Sequence, residues 1–376
     1  MNEILLRSRQ ESETAALFGA ADWRATERLR LLASARFTQS KKDWTACPFD
    51  SGDGSVAAAW NNVLRPFIIA PSGLPDPGAL GAGQCALYND LIDRSGFGTF
   101  QAFEDKSDFS RWSGRLGFEA ALSPESTLHG SIATASKMGG YNGITAQTLS
   151  QAAPYGAESV TAIEMGVRRQ LRNGQGHLDL SAYFNAYRNK QETGFAVTPV
   201  GNIPGLTNIP RAEIFGIELA SEWWLSPYLS ARINAAFTEA RIVRYEQTDP
   251  IKSVYPAIVR FDSKGIALPN APRWQSNAAL AYERSISREH LLRAEASLSY
   301  RSKSFGTADG RNRISDHVLV DARLTFSDAE RRRAAAIWGR NIFNDQYWTS
   351  AYQSNGVFSR LNGTPAVLGV TLSLRR

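Results

Sequence analysis

The sequence predicts an all-β protein: an antiparallel transmembrane β-barrel wall of about thirteen strands, with short turns at one end and long loops at the other. Three observations predict it. Apolar and polar residues alternate over about ten positions in segment after segment, so each strand has one apolar and one polar face. Connections alternate between short and longer ones, as expected when the two ends of a membrane barrel meet different compartments. Aromatic residues make up 10% of the 376, with 9 Trp and 12 Tyr against 3 Met and 2 Cys. The mean hydropathy of −0.29 fits a soluble chain as well as a barrel, because only every second strand residue of a barrel meets lipid. No apolar run approaches the roughly 20 residues of a membrane helix. A soluble sandwich would place turn signals at both ends. The net charge of +6 is modest and scattered along strands, so nucleic acid is not an expected partner.

The first strand pair is expected at 11–23 and 28–42, where Leu29, Leu31, Ala33, Ala35 and Phe37 share one face and Arg28, Arg30, Ser34 and Arg36 the other. Residues 45–106 then read as one long irregular surface loop, rich in Gly and Pro and holding both cysteines. The second pair, 108–122 and 126–138, sets Trp112, Leu116, Phe118 and Leu122 against Arg111, Arg115 and Glu119. A glycine-rich stretch, 139–143, follows; without a strand–helix context it reads as a surface loop rather than a phosphate cradle. The third pair, 158–171 and 176–192, turns at Arg172-Asn173-Gly174-Gln175, with the Asn-Gly signal of a type I′ hairpin. The fourth, 211–224 and 228–243, opposes Leu229, Ala231, Ile233 and Phe237 to Arg232, Asn234 and Thr238. The fifth and sixth pairs fall at 272–286 with 290–303 and at 316–327 with 331–343, and a last strand at 366–376.

That last strand carries Leu368, Val370, Leu372 and Leu374 on one face, and it follows Asn341-Ile342-Phe343-Asn344-Asp345-Gln346-Tyr347 and a polar loop to Asn362. The motif, the Phe215-Gly216-Ile217-Glu218 strand and the Ala271-Pro272-Arg273-Trp274 strand start together resemble the closing part of a TonB-dependent outer-membrane receptor. The resemblance covers almost the whole chain and implies one partial barrel domain over 1–376, about thirteen strands of a 22-stranded receptor barrel. It implies an outer-membrane location and uptake of a large scarce nutrient, typically a ferric siderophore, without covalent chemistry or a cofactor. TonB would act only through a plug domain. Plug, TonB box, signal peptide and early strands are not among these residues, so Met1 is expected to be an internal residue or late start of a longer receptor. Arg376 stands where family members usually end in an aromatic residue. The first and last strands are expected to be the unpaired edges of an open sheet. A passive porin or a barrel-scaffolded surface-interaction protein is the alternative, and a membrane-barrel hydrolase is disfavoured because no Ser/His pair stands out.

His129, His177, His290 and His317 have no metal-ligand spacing and read as polar strand residues. Asp179, Glu218, Glu295 and Asp321, with Arg115, Arg232, Arg293 and Arg323, share the polar faces, where cross-strand pairing accounts for them better than acid–base catalysis. Trp23, Trp112, Trp223, Trp224 and Trp274 are expected at the membrane–water boundary. On the long-loop side, Trp44, Tyr88, Tyr141, Tyr347, Trp348, Tyr352 and Arg360 are the ligand candidates that the resemblance implies. Cys47 and Cys85, the only cysteines, share a loop facing an oxidising exterior and are expected to form a disulfide.

Overall fold

The structure, a computed structural model, describes residues 4–50, 52–66, 73–142, 146–152, 154–171, 174–198, 201–254, 257–354 and 357–375. The expected Asn173 turn residue, Gly143 and Arg376 lie outside the described residues. Thirteen long strands are present: β1 (Ile4–Arg24), β2 (Leu29–Asp50), β3 (Phe103–Ser123), β4 (Ser126–Lys137), β5 (Glu158–Gln170), β6 (Gly176–Thr198) and β7 (Gly201–Ser226) come first. β8 (Leu229–Arg244), β9 (Trp274–Ser285), β10 (His290–Arg301), β11 (His317–Asp328), β12 (Arg333–Arg340) and β13 (Val367–Leu374) complete them. They form a single meander in chain order, each antiparallel to the next. Among the described residues no ladder joins β1 to β13.

The period-2 pattern sets the faces. Leu116, Ile163, Phe184, Ile233, Leu280 and Leu298 lie exposed on one face. Charged residues crowd the other, pairing mostly between neighbouring strands. Arg30 reaches Asp22 and Glu119, Arg168 holds Asp179 at 2.9 Å, and Arg232 holds Glu222 at 2.8 Å. Arg293 sits between Glu283 at 3.1 Å and Glu295 at 2.6 Å. The polar face curves round a cavity of about 720 Å³ lined by Glu222, Arg232, Glu283, Arg293, Glu295 and Arg323. Such wet pairs are each worth a few tenths of a kcal/mol, up to about 1, so they set the wall's polarity more than its stability.

The apolar band also has the right height. On β6 the outward residues run from Leu178 through Phe184 to Ala186, and the next outward position is Arg188. About ten residues at roughly 3.3 Å, on a strand tilted by about 40°, rise near 25 Å, which matches a bilayer's apolar band. Phe184 lies between Ile163 on β5 and Phe215 on β7, inside that band and toward its loop-side end. Phe184→Arg is therefore expected to cost roughly 1–3 kcal/mol of wall stability in vesicles, while Asn185→Arg on the opposite face costs under about 1. Urea unfolding followed by tryptophan fluorescence checks this, and equal costs would contradict the lipid assignment.

Several strands outrun their sequence boundaries. β2 continues to Asp50 and β3 begins at Phe103, so the expected 45–106 loop starts later and ends earlier, and it carries a short helical stretch, Ser55–Ala59. β6 and β7 do not stop at 192 and 211. They continue as a tall two-stranded hairpin, in which Phe195 faces Pro204. Above Arg188 and Arg211 neither strand has another neighbour in the sheet, so a proline that cannot donate is tolerated there. The last loop is likewise a ribbon, Trp348–Ser354 with Val357–Asn362, rather than an irregular segment.

The tryptophan expectations divide. Trp23, Trp112, Trp223 and Trp274 are exposed among apolar neighbours, with Trp112 on Phe37 at 5.2 Å and Trp274 on Phe237 at 4.8 Å. Trp224 lines the polar cavity instead, because consecutive strand residues face opposite sides and Trp223 already lies on the apolar face. Gly216, in the Gly-x-Glu strand, has a packing reason: the Tyr183 ring of β6 lies over it, and a Cβ there would come within 2.3 Å of the ring.

Candidate functional site

Among the described residues, most loops at the end opposite the tight turns are joined by contacts into a cap. Its first part is built round aromatic side chains, with a few leucines and alanines packed against them. Trp44, at the top of β2, is 5% exposed and stacks on Tyr141 at 4.7 Å and against Phe103 at 5.1 Å. Leu87, Ala146, Leu149 and Ala152 close the cluster, so the loop after β4 supplies three of its seven buried members. Backbone bonds join the two loops: Tyr88 N donates to Gln147 O and Leu149 N to Tyr88 O, both at 2.9 Å. Tyr88 is fully enclosed, its hydroxyl donating to Pro75 O at 2.8 Å. Asp50 anchors the base. Burial would raise its carboxyl, but hydrogen bonds from the N–H groups of Gly54, Gly52, Ala57 and Val56 outweigh that and hold it below the usual carboxylate range.

The structure joins Cys47 and Cys85 as a disulfide, with Cα atoms 5.6 Å apart, and Ala86 N donates to Pro48 O beside it. Trp44 and Tyr88, suggested as ligand contacts, are thus loop core. An aromatic in a surface loop can serve either end, and composition does not distinguish them.

The remaining candidates lie on the last loop. Tyr347 packs on His317 at 4.7 Å, and Arg360 sits over the Trp348 ring at 4.1 Å. Tyr352 is 48% exposed on the same ribbon. No hydrogen bond, ring contact or ion pair among the described residues joins this group to the Trp44–Tyr141 group. Gly306, in the loop after β10, lies so close to Ala351 O that a Cβ there would sit 1.9 Å from it.

Between these two groups stands a contact that the sequence reading missed. Asp249, in the loop after β8, is 2% exposed and takes both nitrogens of Arg311, from the loop after β10, at 2.7 and 2.8 Å. It also accepts N–H bonds from Ile251 and Lys252. The Arg311 guanidinium holds the Asp249 carboxyl well below the usual range despite burial. With 62 positions between the partners, no local spacing could have pointed to the pair. The β6–β7 hairpin links the other loops: Asn202 Nδ2 donates to Pro250 O at 2.7 Å and to Ser253 O at 3.1 Å, and Leu206 N donates to Asn142 Oδ1 at 2.8 Å. Among the described residues no three potential metal ligands gather.

A sheet of this order with a cap of this kind has clear relatives. Residues 2–342 match the sequence profile described as "TonB dependent receptor-like, beta-barrel". The chain belongs to the TonB-dependent receptor β-barrel family. That family comprises outer-membrane transport receptors rather than enzymes. Solved TonB-dependent receptors share the fold. The ferric yersiniabactin uptake receptor FyuA from Yersinia pestis matches at 16% identity and a TM-score of 0.70, over 97% of this chain and 46% of that one. The siderophore receptor PiuA from Acinetobacter baumannii matches at 12% identity and 0.66, over 96% and 43%. The copper transporter OprC matches at 14% and 0.62, over 96% and 49%. The chain thus spans less than half the length of these receptors. A search of the curated proteins found no match.

Proposed function

We propose that this chain forms barrel wall and outer loops of an outer-membrane receptor that takes up a large scarce nutrient, with a ferric siderophore as the favoured substrate and TonB as the energising partner. The observation that carries the reading is the likeness of the whole thirteen-strand wall and its loops to receptors that are themselves named for ferric siderophores. The exposed aromatic and cationic side chains of the last loop, Tyr352 and Arg360, suit the planar, anionic chelating groups of such ligands.

The test is direct. The chain, incorporated in vesicles, is titrated with ferric catecholate, hydroxamate and phenolate complexes while tryptophan fluorescence is followed. One class should bind, and a Tyr352→Ala, Arg360→Ala variant should bind it at least about tenfold more weakly, a combined loss of about 1.4 kcal/mol or more. Binding of no ferric complex by the incorporated chain would sink the substrate assignment.

A further inference from the structure

The two rims of the apolar band carry charge differently. At the loop-side rim most outward basic side chains have a carboxylate partner, with Arg188 and Lys41 as exposed exceptions. Glu213 sits between Arg211 and Arg241, each at 3.3 Å, Glu239 holds Arg273 at 2.6 Å, and Asp43 holds Lys106 at 3.0 Å. At the turn-side rim the outward positions are Arg169 at the end of β5, Arg284 at the end of β9 and Arg333 at the start of β12. Each is placed by its register partner: Arg169 beside Leu178, Arg284 beside Leu292 and Arg333 beside Leu374. All three are exposed, and none has an ion-pair partner among the described residues. The Arg284 guanidinium lies over the Tyr228 ring at 5.3 Å, a contact that leaves its N–H groups without an anionic acceptor.

One carboxylate, Asp328, shares that level beside Arg333, but its two oxygens accept the N–H groups of Arg332 and Arg333. Glu27, Glu125 and Glu289 lie in the turns beyond the strand ends, and Glu330 is held by Arg332 at 2.8 Å. Trp23 and Trp223, exposed at the same height on other strands, mark it as the depth where apolar tails give way to headgroups.

We propose that Arg169, Arg284 and Arg333 form a headgroup-binding rim that selects anionic phospholipid in the leaflet on the tight-turn side of the membrane. The proposal rests on the outer-membrane reading above. A phosphodiester headgroup with net negative charge supplies the acceptor that each guanidinium lacks, and a zwitterionic headgroup offers the same phosphate with its charge offset. The loop-side rim makes less of this demand, because most of its outward cations face carboxylates.

The test incorporates the full chain into vesicles of phosphatidylcholine mixed with phosphatidylglycerol. Flotation reads incorporation, and the lipid retained on the detergent-extracted protein reads selection. The chain should retain phosphatidylglycerol about fivefold over its share of the bilayer at low salt, with the excess shrinking at high salt. Arg169→Gln, Arg284→Gln and Arg333→Gln combined should abolish the excess and leave flotation unchanged. A loop-side control, Arg211→Gln with Arg241→Gln, should keep it. Equal retention by the turn-side triple variant, or loss in the loop-side control, overturns the proposal. Failure of the unaltered chain to float with any vesicle overturns the membrane reading itself.

Discussion

Arg311→Ala should release the outer loops after β8 and β10 while leaving the sheet standing. The substitution strands the Asp249 carboxylate, which is 2% exposed, without its counter-charge. Removing one partner of a buried ion pair costs about 3–5 kcal/mol, because the other charge stays desolvated. The cost is local, since Asp249 and Arg311 both lie in loops, so it should appear as faster hydrogen exchange and protease cleavage over 245–273 and 302–316. The urea midpoint of the strands should barely move. Arg311→Lys keeps the charge but loses the two-pronged geometry and should fall between. The sign of the pH response follows from the depressed carboxyl of Asp249. Its stabilising contribution is complete above the unfolded aspartate value of about 3.9 and is lost only as pH falls through the lower folded value. Loop protection should therefore be flat from pH 8 to 5. Loosening already at pH 5 would contradict the latch.

Replacing both Cys47 and Cys85 with serine should free the loop after β2 to a similar extent. The bond closes a loop of 38 residues, for which the chain-entropy account gives roughly 3–4 kcal/mol. Within this loop the helical stretch, the Tyr88 core and the contact with the loop after β4 all rest on one closed base. The variant should show early proteolysis within 52–102 under oxidising conditions, and the unaltered chain should match it only after reduction. Indifference of both to reductant would mean that the aromatic core alone holds the loop.

What was legible followed the period of two. Strand order, the inward Arg232 and Arg293 and the outward Phe184 and Ile233 could be read off because one face meets lipid and a one-residue slip would reverse every side chain. Strand ends were less legible wherever the wall rises beyond the membrane. Above Arg188 both faces of the β6–β7 hairpin meet water or other loops, so the alternation that announces a strand fades, and Pro204 argues against one. In the loops, Trp44 and Tyr352 look alike in sequence; only the fold shows that one is packed under Tyr141 and the other is open. The Asp249–Arg311 pair was invisible because its partners belong to loops that only the sheet brings side by side.

The β6–β7 hairpin stands near the middle of the wall and is tied through Leu206 to the loop after β4 and through Asn202 to the loop after β8. It works as a keystone does in an arch. A push on the loop after β4 or the loop after β8 is passed through these bonds to the hairpin. Pulling either of these loops aside loads the hairpin, and the load runs down the ribbon into β6 and β7 of the thirteen-strand sheet.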